Sequence, residues 1–119
     1  EKESFNNNIL EPCVGGGHIA EVLKDNGYNV MTMDIIDRGY PYTIVQDFLE
    51  YNETFNGDIV TNPPYRISLP IIDHALDIVP IGHQVAMFLK IQFYGMWKIL
   101  TSILQKQFCS THKIIKLMK

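Results

Sequence analysis

The residues best suited to chemistry are Asn62-Pro63-Pro64-Tyr65, which follow the short apolar run Ile59-Val60. Proline has a fixed φ and no backbone N–H, and the residue before a proline is pushed out of the helical region. Asn62 and Pro63 are therefore held extended, with their carbonyl groups projecting from the end of a strand. Such a tip offers an amide oxygen, a fixed backbone carbonyl and the ring of Tyr65. That set suits a planar group bearing an NH2, each oxygen accepting one N–H and the ring stacking on the plane. The same four residues also fit a stiff turn, since Asn and Pro are ordinary loop formers. Their place after an apolar strand, with a glycine-rich stretch upstream, favours the chemical reading.

Four groups fall at predicted strand ends: Gly15 and Gly17, Asp34, Asp47 with Phe48, and Asn62 to Tyr65. Gly15-x-Gly17 lets the backbone approach a ligand closely and aims the next helix N-terminus at an anionic group. Asp34, with Ile35 beside it, is placed to accept from ribose hydroxyls. Asp47 is placed to accept from an adenine amino group, with Phe48 against the ring. Two cofactors compete for this set. Gly15-x-Gly17-x-x-Ala20 with Asp34 nineteen residues after Gly15 fits the dinucleotide fingerprint. That reading gives Glu11-Pro12 and Asn62 to Tyr65 no role. S-adenosylmethionine explains both, because its sulfonium methyl needs an acceptor held in line at the fourth strand.

The elements that position these residues alternate. Ile9-Leu10 begins a strand that stops at Glu11-Pro12, and a helix from His18 to Asn26 carries Ile19, Val22 and Leu23 on one face. Strands are expected at Asn29–Ile35, Tyr42–Val45, Asp58–Thr61 and Gln84–Ile91. Ile67 to Val79 reads as a largely buried helix, and Phe93 to Gln107 as an amphipathic one. Ile114 to Met118 reads as a last strand. Alternating strands and helices predict a single α/β domain over residues 1–119, with strands 1 to 5 parallel in the order 3-2-1-4-5. Ligands of such a sheet sit at the carboxyl ends of its strands.

Bulk properties bound the function. The chain has 119 residues, 46% hydrophobic and 19% charged, as in ordinary globular domains. No apolar run approaches the roughly 20 residues needed to span a bilayer, so no membrane association is expected. Cys13 and Cys109 lack metal-ligand spacing and the four histidines are scattered, so no metal site is expected; free thiols point to a reducing cytoplasm. A net charge of −3 is unlike a self-sufficient nucleic-acid binder. Most of the basic charge lies in the last third, from Lys90 to Lys119.

With Glu11-Pro12-x-x-Gly15-x-Gly17, Asp34, Asp47-Phe48 and Asn62-Pro63-Pro64-Tyr65 placed, the chain resembles S-adenosylmethionine-dependent amino-methyltransferases. More narrowly it resembles the N6-adenine DNA methyltransferases, including small solo enzymes of phages and mobile elements. The likeness covers about Ile9 to Phe93. It implies a Rossmann-like methyltransferase fold with a doubly wound, mostly parallel sheet, and cofactor contacts from Glu11, Pro12, Gly15, Gly17, Asp34, Ile35, Asp47, Phe48 and Asn62. It further implies Asn62, Pro63, Pro64 and Tyr65 as the catalytic residues, with DNA as the partner that offers a flipped-out adenine.

Two departures from the family pattern are expected to matter. The helix that usually packs over the methionine end of the cofactor would precede Glu1, and after Phe93 the likeness fades, with room for one strand where the family has an antiparallel hairpin. The chain thus reads as a methyltransferase domain truncated at one or both ends, or with a slip of coding frame near Ile103–Phe108. Two alternatives stay open: a protein-glutamine N5-methyltransferase, whose family shares the tetrapeptide, and a truncated, non-catalytic subunit of the same fold.

Overall fold

The computed structural model describes residues 5–88 and 114–118. In chain order these form β1 (Asn8–Glu11), α1 (His18–Asp25), β2 (Asn29–Asp34), β3 (Ile44–Val45), a 3-10 turn (Phe48–Glu50), β4 (Asp58–Thr61), a second 3-10 turn (Tyr65–Ile67), α2 (Ser68–Ile78), β5 (Gln84–Phe88) and β6 (Ile114–Met118). One sheet holds all six strands in the order β3-β2-β1-β4-β5-β6, and every pairing is parallel. The expected order 3-2-1-4-5 is therefore observed. The expected helix Phe93–Gln107, and the end of the fifth strand up to Ile91, lie outside the described residues.

Consecutive strand residues face opposite sides of a sheet, and here both sides are covered. Leu10, Ile59 and Val85 pack with Ile71, Ile72, Ala75 and Leu76 of α2. Their neighbours Ile9, Val60 and Ala86 pack with Leu23 of α1 and with half-buried Ile19. This explains the unbroken apolar runs of β4 and β5, since a strand buried on both faces shows no alternation. Asp58, 2% exposed at the start of β4, ties the inlet side together. It accepts hydrogen bonds from the backbone N–H of Asn6 (2.8 Å) and Gln84 (2.9 Å), and its Oδ1 lies 3.1 Å from His83 Nδ1.

Several elements differ from expectation for local reasons. β3 is two residues rather than four, because Tyr42 takes the left-handed region at φ 63 and breaks the extended run. The helical stripe of α1 consists of Ile19, Ala20 and Leu23, while Val22 is 60% exposed. α2 ends at Ile78 because Val79 precedes Pro80 and is extended (φ −90, ψ 143); Pro70 is tolerated because it falls in the first turn. β6 lies parallel to β5, from Gln84↔Ile114 to Phe88↔Met118, where the family likeness implied an antiparallel hairpin.

The two helices make the packing testable. Leu76, fully buried in α2, should lose about 2–5 kcal/mol of unfolding free energy on substitution by alanine in urea titrations. Val22→Ala should change it by less than about 0.5 kcal/mol, as for an exposed site. A large effect at Val22 would contradict the assigned face of α1.

Candidate functional site

Strand order reverses between β1, which leads outward to β2 and β3, and β4, which leads outward to β5 and β6. A crevice opens at the carboxyl ends of strands on either side of such a switch point. Here it is a cavity of ≈ 470 Å³ walled by segments that follow β1, β2, β3 and β4. Pro12 and Gly15 line it from the first, Asp34 and Ile35 from the second, Asp47 and Phe48 from the third, and Asn62, Pro63 and Pro64 from the fourth. Cys13, Arg38, Leu49, Ile67, Ile71 and Phe88 complete the lining, and sequence reasoning had singled out none of them as ligand contacts. Arg38 was foreshadowed only by lying four residues after Asp34; the apolar residues read as core.

Prolines end the ladder where the cavity begins. Pro12 follows Glu11 and Pro63 follows Asn62, so neither β1 nor β4 can extend its pairing past those points. After β1 the chain turns back, with Val14 N–H donating to Met33 O (2.9 Å) and Gly17 N–H to Val14 O (2.9 Å). Gly15 N–H donates to Asp34 Oδ2 at 2.8 Å, joining the glycine turn to the end of β2. After β4, Pro64 O accepts from Ile67 N–H (3.0 Å) and closes the turn that Tyr65 begins. Asn62 is exposed at the cavity wall, while Pro63 is buried.

The individual side chains differ in how free they are to meet a ligand. Asp34, 6% exposed, accepts from Gly15 N–H and, weakly, from Ile36 N–H (3.4 Å), and Arg38 Nε lies 3.5 Å from its Oδ2. A carboxylate has about four lone-pair sites, so roughly one stays open and another is held only by the half-exposed arginine. Asp47 caps the turn Phe48–Glu50 by accepting from Leu49 N–H through Oδ1 (3.0 Å). Phe48 is 3% exposed and meets the His74 ring edge-on, centroids 5.0 Å apart. It is a fixed wall of the cavity rather than a free platform. His74 is held in turn, its Nε2 lying 2.7 Å from Tyr51 O.

Gly17 stands behind the lining among the described residues. Its φ is +93, and a Cβ there would overlap the Tyr40 ring. Tyr40 lies across the start of α1, its hydroxyl donating to Glu21 Oε2 at 2.5 Å and Lys24 Nζ 4.8 Å from the ring centre. Backbone conformation and Tyr40 packing thus explain the glycine without a ligand.

Glu11 also lies beneath the lining, 1% exposed. Its Oε1 accepts from Cys13 N–H at 3.1 Å. Burial pushes its carboxyl up from the ordinary 4.5 to about 8; the Thr61 hydroxyl and Cys13 N–H oppose the shift and the Asp34 charge adds to it. Thr61 Oγ1 is itself buried without a partner in hydrogen-bond geometry, so it influences Glu11 as a nearby dipole rather than through a formed bond. Burial, with the Glu11 charge next, pushes the Cys13 thiol up to about 12, which keeps it unreactive at neutral pH. Among the described residues no group of three or more His, Cys, Asp or Glu is placed to hold a metal ion, and no helix is long and apolar enough to cross a membrane.

Comparison with family models, curated proteins and solved structures returned no match. The site is therefore interpreted from its own chemistry.

The Glu11 shift has a direction that can be measured. A carboxyl whose pKa is raised in the folded state contributes stability that is complete below about 4.5 and is lost as pH rises through about 8. Thermal unfolding of the wild type should show a falling Tm across that window. Glu11→Gln, neutral throughout, should flatten the fall, and an unchanged slope would show that Glu11 ionises normally.

Proposed function

We propose that the protein is an S-adenosylmethionine-dependent methyltransferase acting on a planar amino group. The observation that carries this reading is the convergence of Gly15, Asp34, Asp47 with Phe48, and Asn62 to Pro64 on one cavity at the switch point of the sheet. The acceptor that fits best is the exocyclic N6 of adenine in DNA, and the protein is read as an N6-adenine DNA methyltransferase with a Rossmann-like methyltransferase fold.

The residues present fit an adenosyl group. Asp34 keeps an open lone pair for a ribose hydroxyl, and a second is freed if Arg38 moves aside. Asp47 Oδ2 has no hydrogen-bond partner among the described residues, which leaves it able to accept an adenine amino N–H. Phe48 and Leu49 supply apolar wall. A dinucleotide fits less well: Tyr40 packs against Gly17, where the fingerprint needs open backbone for a pyrophosphate.

The cofactor supplies an electrophilic methyl group on a sulfonium, a good leaving group. The protein's part is positioning. The nitrogen lone pair of an adenine N6 is delocalised into the ring, which makes it a poor nucleophile. Asn62 Oδ1 and the Pro63 carbonyl each accept one of its hydrogens and draw the nitrogen toward tetrahedral geometry, turning the lone pair out of the ring plane. Tyr65 stacks on the flipped base and holds it in line. Preorganised acceptors of this kind act at no reorganisation cost, and proximity supplies the rest of the rate. No side-chain general base is needed, because the alkylated nitrogen sheds its proton readily.

Two substitutions separate binding from chemistry. Asp34→Ala should weaken binding of S-adenosylhomocysteine by roughly 1.5–3 kcal/mol per lost charge-assisted bond, read by calorimetry. Asn62→Ala should leave that affinity nearly intact and cut tritiated methyl transfer to duplex DNA by about 10²–10³-fold. Equal transfer rates in wild type and Asn62→Ala would remove Asn62 from the mechanism. Label on a glutamine peptide and none on adenine would move the acceptor from DNA to protein.

A further inference from the structure

Of the three buried carboxylates among the described residues, Glu11 and Asp58 are the most deeply buried, and they are treated very differently. Asp58 receives two backbone N–H groups and the His83 ring. Glu11 receives one N–H, from Cys13, and has no cation beside it among the described residues. The groups that face it are Asp34 from β2, the Cys13 thiol from the turn after β1, and the Thr61 hydroxyl from β4. None of them is positive, and Thr61 Oγ1 is buried without a partner in hydrogen-bond geometry. An unpaired carboxylate out of water costs several kcal/mol, so this one needs either a proton or a counter-charge that the described residues do not supply. Pro12 and Cys13, which follow Glu11 in the chain, and Asn62, which follows Thr61, line the cavity.

We propose that Glu11 is the charge-selecting residue of the cofactor site, holding a proton while no positive ligand is present and releasing it when a cationic ligand centre enters the cavity. The inference rests on the methyltransferase reading and adds a discrimination to it. Methyl donor and demethylated product carry the same amino acid and adenosyl groups and differ by one methyl group and the positive charge it places on sulfur. With the donor bound, the Glu11 O–H bond breaks, its proton passes to the buffer, and the carboxylate offsets the sulfonium. With the product, which lacks that charge, Glu11 stays neutral. After transfer the alkylated nitrogen loses a proton to solvent and Glu11 takes one up, so charge balances over the cycle. The site thereby favours donor over product without a contact to the methyl group. The raised pKa of about 8 accords with a carboxyl that is protonated at neutral pH.

The test is calorimetry of S-adenosylmethionine and S-adenosylhomocysteine binding at pH 7, in three buffers of different ionisation enthalpy. The slope against that enthalpy counts protons released per ligand bound. The wild type should release close to one more proton with the methionine form than with the homocysteine form. Glu11→Gln, similar in shape and permanently neutral, should erase the difference. Equal proton counts in the wild type, or a difference that survives in Glu11→Gln, would overturn the proposal while leaving the cofactor reading intact. Failure of the wild type to bind either ligand would overturn both. A carboxyl carbon-13 NMR titration of ligand-free wild type checks the premise without any variant: Glu11 should titrate near pH 8, and titration in the ordinary carboxylate range would sink the idea.

Discussion

The parallel pairing of β1 with β4 is the constraint on which the rest of the structure depends. Its register, Ile9↔Asp58 and Leu10↔Ile59, sets the ends of the two strands side by side. Each end then meets a proline that stops the ladder, so two chains diverge from adjacent points and leave space between them. That space is the cavity. Asp58 reinforces the pairing from the opposite end, since it holds the segment before β1, the start of β4 and the start of β5 at once. Gly57, just before it, lies so close to the Asn8 carbonyl that no side chain fits there. A slip of one residue along β1 would turn Leu10 away from α2 and bring polar Glu11 or Asn8 toward a core face.

Charge is distributed unevenly around this frame. Asp34 and Asp47 line the cavity, Glu11 lies beneath it, and Arg38 is the one cation in the described lining. Burial does not act on these carboxyls equally. Asp34 is paired with two backbone N–H groups and an arginine, whereas among the described residues Glu11 has a single N–H donor and no counter-charge. A cavity with an acidic wall and an under-compensated acid below it suits a ligand that brings positive charge. A phosphate-rich ligand would meet repulsion there, which is a physical reason to prefer a sulfonium nucleoside over a dinucleotide.

The site also illustrates how one set of residues serves two ends. Asp47 caps the turn that fixes Phe48, and Phe48 in turn packs edge-on to His74 of α2. The Phe48 wall of the cavity is therefore part of the hydrophobic core. Such a wall is rigid, as holding a bound ligand in one geometry requires. Tyr40 plays the corresponding part on the other face, bracing the glycine turn from behind through Gly17 and Glu21.

Much of the design was legible in the chain alone. Apolar runs bounded at one end by proline or glycine marked β1, β2, β4 and β5, and alternation with helices implied parallel order, because local propensity and connection length act over short stretches of sequence. The grouping of Gly15, Asp34, Asp47, Phe48 and Asn62 to Pro64 at one edge followed from the same logic. Other features depended on contacts between segments far apart. Val22 sat outside the buried stripe because Ala20 met the sheet in its place. β3 shrank to two residues because Tyr42 adopted a left-handed turn, and β6 ran parallel to β5, a pairing no local pattern specifies. Above all, sequence named Glu11 but gave no hint that it is buried without a counter-charge among the described residues. Desolvation, and the absence of a cation among its described neighbours, are properties of three-dimensional surroundings, and only tertiary structure decides them.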